Sequence, residues 1–441
     1  MLLEFRVQNY RSIRDEQTLS LVPVASDTAL LDANTQATDS PLVGRVLRGC
    51  ALYGPNASGK STLLNAMAFL QALVRDSATK IQSGQSLNVK GFAFDAATRT
   101  APCALELTVL VEGVRYQYGL SLTHDRIHEE WLLVYKSSKP QEWFHRTWNQ
   151  ASGSYDYGSF SASFTGPKDV WKRSTRDNAL FLSTAVQLNC DQLKPLWNWI
   201  VSSWLILPAQ AGLNLDLSVQ AIASDSSKRS ILEFLNAADI GIADIAIERQ
   251  IGKQGAFQFD LAMGKAIVSE PEDTEILIPK FTHTGSNGNA VFDIAEESQG
   301  TQRLFAFAGI LQMILAGGIT LVVDEIENSL HPLLVRKIVE LFFSPETNPQ
   351  GAQLVFSTHN TILLDNKILR RDQIWFTDKG KDQATVLASL SDFSPRKTEA
   401  FAKGYLQGRY GAIPLVRSLA RQTGNSYAKT TNPTSGKAGT L

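Results

Sequence analysis

The run Gly54-Pro55-Asn56-Ala57-Ser58-Gly59-Lys60-Ser61 fits the pattern G-x-x-x-x-G-K-[ST]. The chemistry such a run can do is phosphate binding. Glycines let the backbone wrap closely enough for successive N–H groups to point at phosphate oxygens. A helix starting at Lys60 would add the partial positive charge of its N-terminus. Lys60 would neutralise β- and γ-phosphate charge, and the Ser61 hydroxyl would ligate Mg²⁺. Gly54, Asn56, Ala57, Ser58, Gly59, Lys60, Ser61 and Thr62 are the expected contacts of a nucleotide.

A second set lies far along the chain. The apolar run Ile319 to Val323 ends in Asp324-Glu325. An aspartate there can hold magnesium, and the adjacent glutamate can orient and deprotonate an attacking water. An apolar strand ending in Asp-Glu is ordinarily structural, but a phosphate loop in the same chain favours the chemical reading. The next apolar run, Gln353 to Ser357, would deliver Thr358-His359 to a strand end, where His359 reads as a γ-phosphate sensor.

Several elements must position these groups. Val46 to Tyr53 reads as a strand entering the phosphate loop. From Lys60 to about Val74, Leu63, Met67, Leu70 and Val74 share one helical face. Leu3, Phe5 and Val7 alternate as in a half-buried strand, followed by a polar loop from Gln8 to Arg14. Residues 105–111 and 114–122 alternate around Glu112-Gly113, a hairpin signal. A helix is expected over 298–316, a core strand over 319–323, and another helix from about Leu330. The expected fold class is α/β. The expected divisions are an N-terminal lobe (1–124), an inserted α+β region (125–290), a C-terminal lobe (291–395) and a basic segment with a disordered tail (396–441). No sustained heptads occur, so long coiled-coil arms are not expected.

Composition narrows the classes. The chain has 441 residues, 44% hydrophobic, with 42 basic and 43 acidic side chains. That excludes a disordered chain and a uniformly basic nucleic-acid coat. Three scattered cysteines with no CxxC pair suit a reducing cytosol, and the start shows no signal-peptide core, so a cytoplasmic location is expected. Leu304 to Val323 is long enough to span a bilayer, but Gly317-Gly318 breaks it and a β-branched run follows, so a helix plus a core strand is expected and no membrane.

The landmarks in this order resemble the ABC/SMC-type P-loop ATPases, and more narrowly the bacterial AAA-type proteins of the OLD and RloA kind. The resemblance rests on the stretch from Leu3 to Ser12, the phosphate loop, and Glu297-Ser298-Gln299-Gly300-Thr301-Gln302-Arg303. It continues through Asp324-Glu325-Ile326-Glu327-Asn328-Ser329-Leu330-His331-Pro332 and Ser357-Thr358-His359-Asn360, with Asn178 to Gln187 and Tyr405 to Pro414 also in keeping. It implies ATP and Mg²⁺ as ligands, with Glu325 and His359 catalytic and Asp324 and Ser61 on the metal. Ser298 and Gly300 would be the signature motif that closes over the γ-phosphate of an opposing subunit, giving a head-to-tail homodimer or a higher homo-oligomer. Arg11 would lie near the nucleotide, and Ser329 to Pro332 would form the D-loop. The signature departs from the common form, because Gln299 replaces a glycine and Glu297 precedes the serine.

The same resemblance implies a setting in defence against phage with a separately encoded effector, such as an RloB-like protein or a TOPRIM-like nuclease. A TOPRIM nuclease needs a D-x-D pair, and none occurs in this chain. The alternative is a DNA-repair ATPase of the RecF kind, with nucleic acid as partner. A transporter ATPase fits less well, and a GTPase is disfavoured because no N-K-x-D follows the loop.

Other signals are weaker. His124 and His128, spaced i, i+4, read as surface histidines because H-E-x-x-H is absent. The tryptophans read as core, and Glu270, Glu272, Asp273 and Glu275 as a solvated loop. Residues 396–421 carry Arg396, Lys397, Lys403, Arg409, Arg417 and Arg421 against Glu399, with Phe401, Tyr405 and Tyr410 interleaved. That segment suits either a phosphate backbone or acidic protein surface, or simple packing on the rest of the chain.

Overall fold

A computed structural model describes residues 1–209, 215–238, 241–254, 257–260, 265–268, 272–328, 330–395 and 399–413. Its centre is a six-stranded sheet in the order Trp204–Leu207, Thr320–Val323, Gln353–Ser357, Gly49–Tyr53, Ile374–Lys379, Thr385–Ser389. The first five strands are parallel and the last is antiparallel. The sequence explains the burial. Runs such as Gly49–Tyr53 and Thr320–Val323 are buried throughout, as strands covered on both faces must be. Side chains alternate between the faces. Cys50, Leu52, Val322 and Val355 join one core, while Ala51, Tyr53, Leu321, Val323, Leu354 and Phe356 join the other.

The helix Lys60–Asp76 supplies the first core, burying Leu63, Met67, Leu70 and Val74 as its spacing predicts. The same core takes in a second sheet of seven antiparallel strands, ordered Ser154–Asp156, Gln141–Asn149, Ile127–Tyr135, Val114–Leu122, Cys103–Val111, Leu2–Gln8, Gln17–Ser20. The expected hairpin turns at Glu112 (φ 51°) and Gly113 (φ 76°), the left-handed pair that a two-residue turn between twisted strands requires. On the opposite face, the helices Gln299–Gly317 and Pro332–Phe342 cover the second core. The long apolar stretch resolves as anticipated. Its helix ends on Gly318 in the left-handed conformation (φ 61°), and the strand Thr320–Val323 follows. No helix of the described residues is long and apolar enough to cross a membrane.

The boundary expected at residue 124 is not where the structure divides. Ile127–Tyr135 pairs with Val114–Leu122, so the N-terminal sheet runs on through Asp156. A buried ion pair locks this extension. Arg146 Nε lies 2.9 Å from Glu130 Oε2, and neither side chain is exposed. Glu130 also accepts hydrogen bonds from the Tyr118 hydroxyl (2.9 Å) and the N–H groups of Phe181 (2.7 Å) and Leu182 (2.9 Å). The aromatic texture that suggested an insertion is the core of this lobe, with Trp143, Trp171, Trp199 and Trp204 all buried. Trp204–Leu207 belongs to the central sheet. Among the described residues, what remains between the lobes is two helices, Asp216–Ala221 and Asp225–Asn236, a ribbon of Ile242–Gln254, Glu272–Gly285 and Gly288–Asp293, and a two-stranded antiparallel sheet of Phe257–Asp260 and Lys265–Val268.

Where it is described, the basic segment packs on the rest of the chain, one of the two readings its composition allowed. Phe401, Tyr405 and Tyr410 are buried, and both tyrosine rings stack on Phe376 at 5.5 and 5.4 Å. Their apolar surface is spent on the central sheet, and Arg409 pairs with Glu399. Ser329, Glu270, Arg396, Lys397, Pro414, Arg417, Arg421 and the tail 422–441 lie outside the described residues, as do the side chains of Glu272 and Asp273.

Candidate functional site

Parallel strands present their functional loops at one edge, beyond their C-terminal ends. Tyr53, Val323 and Ser357 end three neighbouring strands, which deliver the phosphate loop, Asp324-Glu325 and Thr358-His359 to that edge. Lys60 senses the charges of Asp324, Glu325 and Glu327, and His359 senses all three carboxylates together with Lys60. Groups separated by hundreds of residues in sequence are thereby one electrostatic cluster.

The phosphate loop is held from behind. Gly54 (φ 155°) backs onto Thr377, and Gly59 (φ 117°) onto Thr385, so closely that a side chain at either position would collide. The Ser58 hydroxyl bonds the Thr377 hydroxyl at 2.6 Å, and Thr385 Oγ1 donates to Ser58 O at 2.8 Å. Asn56 and Ala57 stay exposed at the tip, with Ala57 left-handed at φ 63°. Lys60 Nζ donates to Gly54 O at 2.8 Å and Pro55 O at 3.2 Å, which centres the ammonium over the loop. Burial lowers its pKa, and the nearby carboxylates oppose that shift. Ser61 is exposed in the first turn of the helix.

Asp324 and Glu325 share one organiser. The Ser357 hydroxyl donates to Asp324 Oδ1 at 2.5 Å and accepts from the Glu325 N–H at 2.7 Å. This holds Glu325 in the left-handed region (φ 53°), a conformation that costs a non-glycine residue about 1–3 kcal/mol. Glu327 is a further member of the group. Its Oε1 accepts the His359 N–H at 2.5 Å, and its Oε2 is buried without a partner. Burial and the Lys60 charge push the His359 pKa down, against the pull of the carboxylates, so its imidazole is biased toward the neutral form.

The chemistry of this donor set suits a nucleotide with a hard cation. Two glycines admit a close backbone, Lys60 supplies positive charge, and Ser61 and Asp324 offer the oxygen donors Mg²⁺ prefers. The Glu327 carboxylate, with one oxygen buried and unpartnered, adds a further charge to the same electrostatic cluster.

The other expected residues are placed as follows. Arg11 (φ 52°) is exposed beside the Tyr10 ring, in a loop that Ser12 ties to Thr62 Oγ1 at 3.0 Å and to Thr385 Oγ1 at 2.9 Å. The Thr62 hydroxyl is thus engaged by the first loop. Ser298 caps the helix Gln299–Gly317, accepting the Thr301 N–H at 3.1 Å. Ser298 is exposed and Gly300 half-buried. Among the described residues, no hydrogen bond joins Ser298 to its own phosphate loop. Further along the same helix, Arg303 and Phe307 line a small crevice with Asp324. Glu297, the unusual residue before the serine, accepts from or shares a proton with His283 Nε2 at 2.7 Å, a contact from the ribbon. His331 caps the helix Pro332–Phe342. The His124 and His128 pair forms no metal cluster, and no group of three or more potential ligands occurs among the described residues.

Ser12, Ser357, Thr377, Thr385 and Glu327 are site residues that spacing did not reveal. Only the hydroxyl residues at ends of adjacent strands could have hinted at them.

This architecture defines a P-loop ATPase domain: a parallel sheet with the phosphate loop on its central strand and an acidic pair two strands away. The chain matches, over residues 50–365, the family described as "AAA domain, putative AbiEii toxin, Type IV TA system", and it belongs to that family. No curated protein matches the chain. Among solved structures, the SMC head domain from Thermotoga maritima is similar at 13% identity with a TM-score of 0.39, covering 88% of this chain and 98% of that one. An SMC head bound to the C-winged helix domain of ScpA gives 10% identity and a TM-score of 0.40, covering 88% and 97%. The Pyrococcus furiosus Smc head with an extended coiled coil gives 12% identity and 0.35, covering 93% and 99%. At such scores these likenesses carry nothing about substrate or partner.

Proposed function

We propose that the chain is a Mg²⁺-dependent ATPase whose nucleotide cycle opens and closes a homodimer. The observation that carries the hydrolytic reading is Ser357, whose single hydroxyl orients both Asp324 and Glu325 beside the Lys60 loop. The loop amides and Lys60 would hold the β- and γ-phosphates, with Ser61 and Asp324 on the metal, which would neutralise phosphate charge when bound. Glu325 takes a proton from water. The water oxygen bonds to the γ-phosphorus, the γ-phosphorus–oxygen bond to the β-phosphate breaks, and ADP leaves with that oxygen. A neutral His359 donates a hydrogen bond to the γ-phosphate.

Ser298 and Gly300 act in trans. The exposed Ser298 at a helix N-terminus suits a phosphate presented by a second copy of the chain. The setting is anti-phage defence, with this chain as a nucleotide-gated sensor or scaffold in the cytoplasm and a separate RloB-like or TOPRIM-like effector. Support comes from the resemblance to OLD- and RloA-type proteins and from a family description that names a toxin–antitoxin system.

The test is Glu325→Gln. Loss of a general base lowers turnover by about 10²–10⁴-fold, and the variant should retain ATP and accumulate as a dimer on sizing columns. Turnover at the wild-type rate overturns the assignment. A salt-sensitive, ATP-dependent shift of DNA, with no co-purifying effector, replaces the defence setting with DNA repair.

A further inference from the structure

A cavity of about 540 Å³ opens between the loop 89–101 and the turn 122–128, within the size range of small-molecule sites. Its floor is apolar: Val89, Cys103 and Leu122 are buried. Burial pushes the Cys103 thiol up to about 12, so the floor carries no charge there. The rim carries two cations, Lys90 and Arg99, with His124 and His128 beside one carboxylate, Asp125; burial lowers the His128 pKa, and its Nε2 lies 2.8 Å from the Thr123 hydroxyl. That carboxylate is already satisfied. It accepts the Thr123 hydroxyl at 2.5 Å and pairs with Arg126 at 3.2 Å. Arg99 is steadied by its Nε on Ala93 O at 2.6 Å, which leaves the terminal nitrogens for a ligand. No ion pair among the described residues engages Lys90 or Arg99.

We propose that this cavity is a second ligand site, separate from the phosphate loop, for a mononucleotide-sized organophosphate. Its flat apolar body lies on the Val89–Leu122 floor, and its phosphate sits among Lys90, Arg99 and the two imidazoles. Charge-assisted bonds from an arginine and a lysine are the recognition chemistry such a group requires.

The cavity wall is tied to the phosphate loop through one short turn. Lys90 O accepts the Arg11 N–H at 2.9 Å. Asn9 is clasped by the same loop, donating to Thr98 O at 2.8 Å and Ala101 O at 2.9 Å and accepting the Phe92 N–H at 2.9 Å. Asn9 and Arg11 are both left-handed (φ 51° and 52°), and this turn is held jointly by the cavity loop and by its own Asn9–Arg14 and Tyr10–Ile13 backbone bonds. On its far side Ser12 bonds Thr62 in the phosphate-loop helix. Occupancy of the cavity therefore shifts ATP affinity. This consequence rests on the phosphate-loop reading, whereas the ligand site itself does not.

The experiment uses the full chain carrying Lys60→Ala, titrated with AMP and followed by the ring signals of its histidines. Saturable binding with His124 and His128 shifts is expected. Adding Lys90→Glu and Arg99→Glu should weaken it by about a hundredfold, the equivalent of two charge-assisted bonds, with the thermal midpoint retained. The proposal is overturned by an absence of saturable binding at millimolar AMP, by binding indifferent to the charge reversals, or by shifts confined to His359. Equal ATP affinity of wild type and Lys60→Ala would instead defeat the phosphate-loop reading alone.

Discussion

The two halves of the proposed composite site are built differently. The phosphate-loop half is braced by bonds among buried groups: Ser58 to Thr377, Thr385 to Ser58, Ser357 to Asp324. It sits on a strand covered by both cores. The signature half stands at a surface. Ser298 is exposed and, among the described residues, its hydroxyl bonds only within its own helical turn, while the carboxylate of its neighbour Glu297 meets His283 of the ribbon. The ribbon itself is thinly covered, with Val291 61% exposed. Buried polar networks resist change because each lost partner leaves a desolvated group, while surface contacts exchange with water at little cost. The first half is thus prebuilt, and the second is adjustable.

The largest effect expected of this contrast is on binding. Lys60→Ala removes the only cation inside the loop and should weaken ATP binding by about a hundredfold, the scale of two charge-assisted bonds. Because Thr377 and Thr385 brace the loop from behind, the loss of the two Lys60 bonds to Gly54 O and Pro55 O should lower the thermal midpoint only slightly. Calorimetric titration against unfolding curves checks both; a collapse in stability would show that the loop is not prebuilt.

That bracing explains what could and could not be read from the chain. The phosphate loop, the hairpin at Glu112-Gly113 and the helix face of Leu63, Met67 and Leu70 are local patterns, and each was legible. Ser357 acts on residues about thirty positions away, and Thr377 and Thr385 act on Ser58 from more than three hundred. Their roles follow from which strands are neighbours and in what register, information that no local spacing carries. The boundary expected at 124 failed for a related reason. A rise in aromatic content marks a change in core filling, and here the core of one lobe simply continues to Trp204.

A middle-sized effect should come from Ser357→Ala. The substitution leaves Glu325 N–H and Asp324 Oδ1 without their shared partner, at a cost of about 1–3 kcal/mol for a buried polar group. Since Glu325 is held left-handed by that bond, the cost should fall on turnover, about tenfold in kcat, with ATP affinity nearly unchanged. Steady-state rates alongside equilibrium binding separate the two. A loss in affinity equal to the loss in kcat would mean that Ser357 braces the whole loop and not the acidic pair alone.

The smallest effect is the most informative about the adjustable half. His283→Ala breaks the 2.7 Å contact to Glu297, whose side chain is only 9% exposed, one residue before Ser298. A partly exposed pair of this kind contributes about 1 kcal/mol at most, so ATP-dependent dimerisation should weaken by no more than about fivefold. Monomer affinity for ATP should not move, because His283 touches nothing in the phosphate loop. His283→Gln, which keeps a donor, should restore most of the loss. Ser298→Arg, placed where the opposing phosphate must approach, should abolish dimerisation and so mark the full range against which His283 is read. If Ser298→Arg abolishes the dimer while His283→Ala leaves it untouched, the signature is as rigid as the phosphate loop and the contrast between the halves fails.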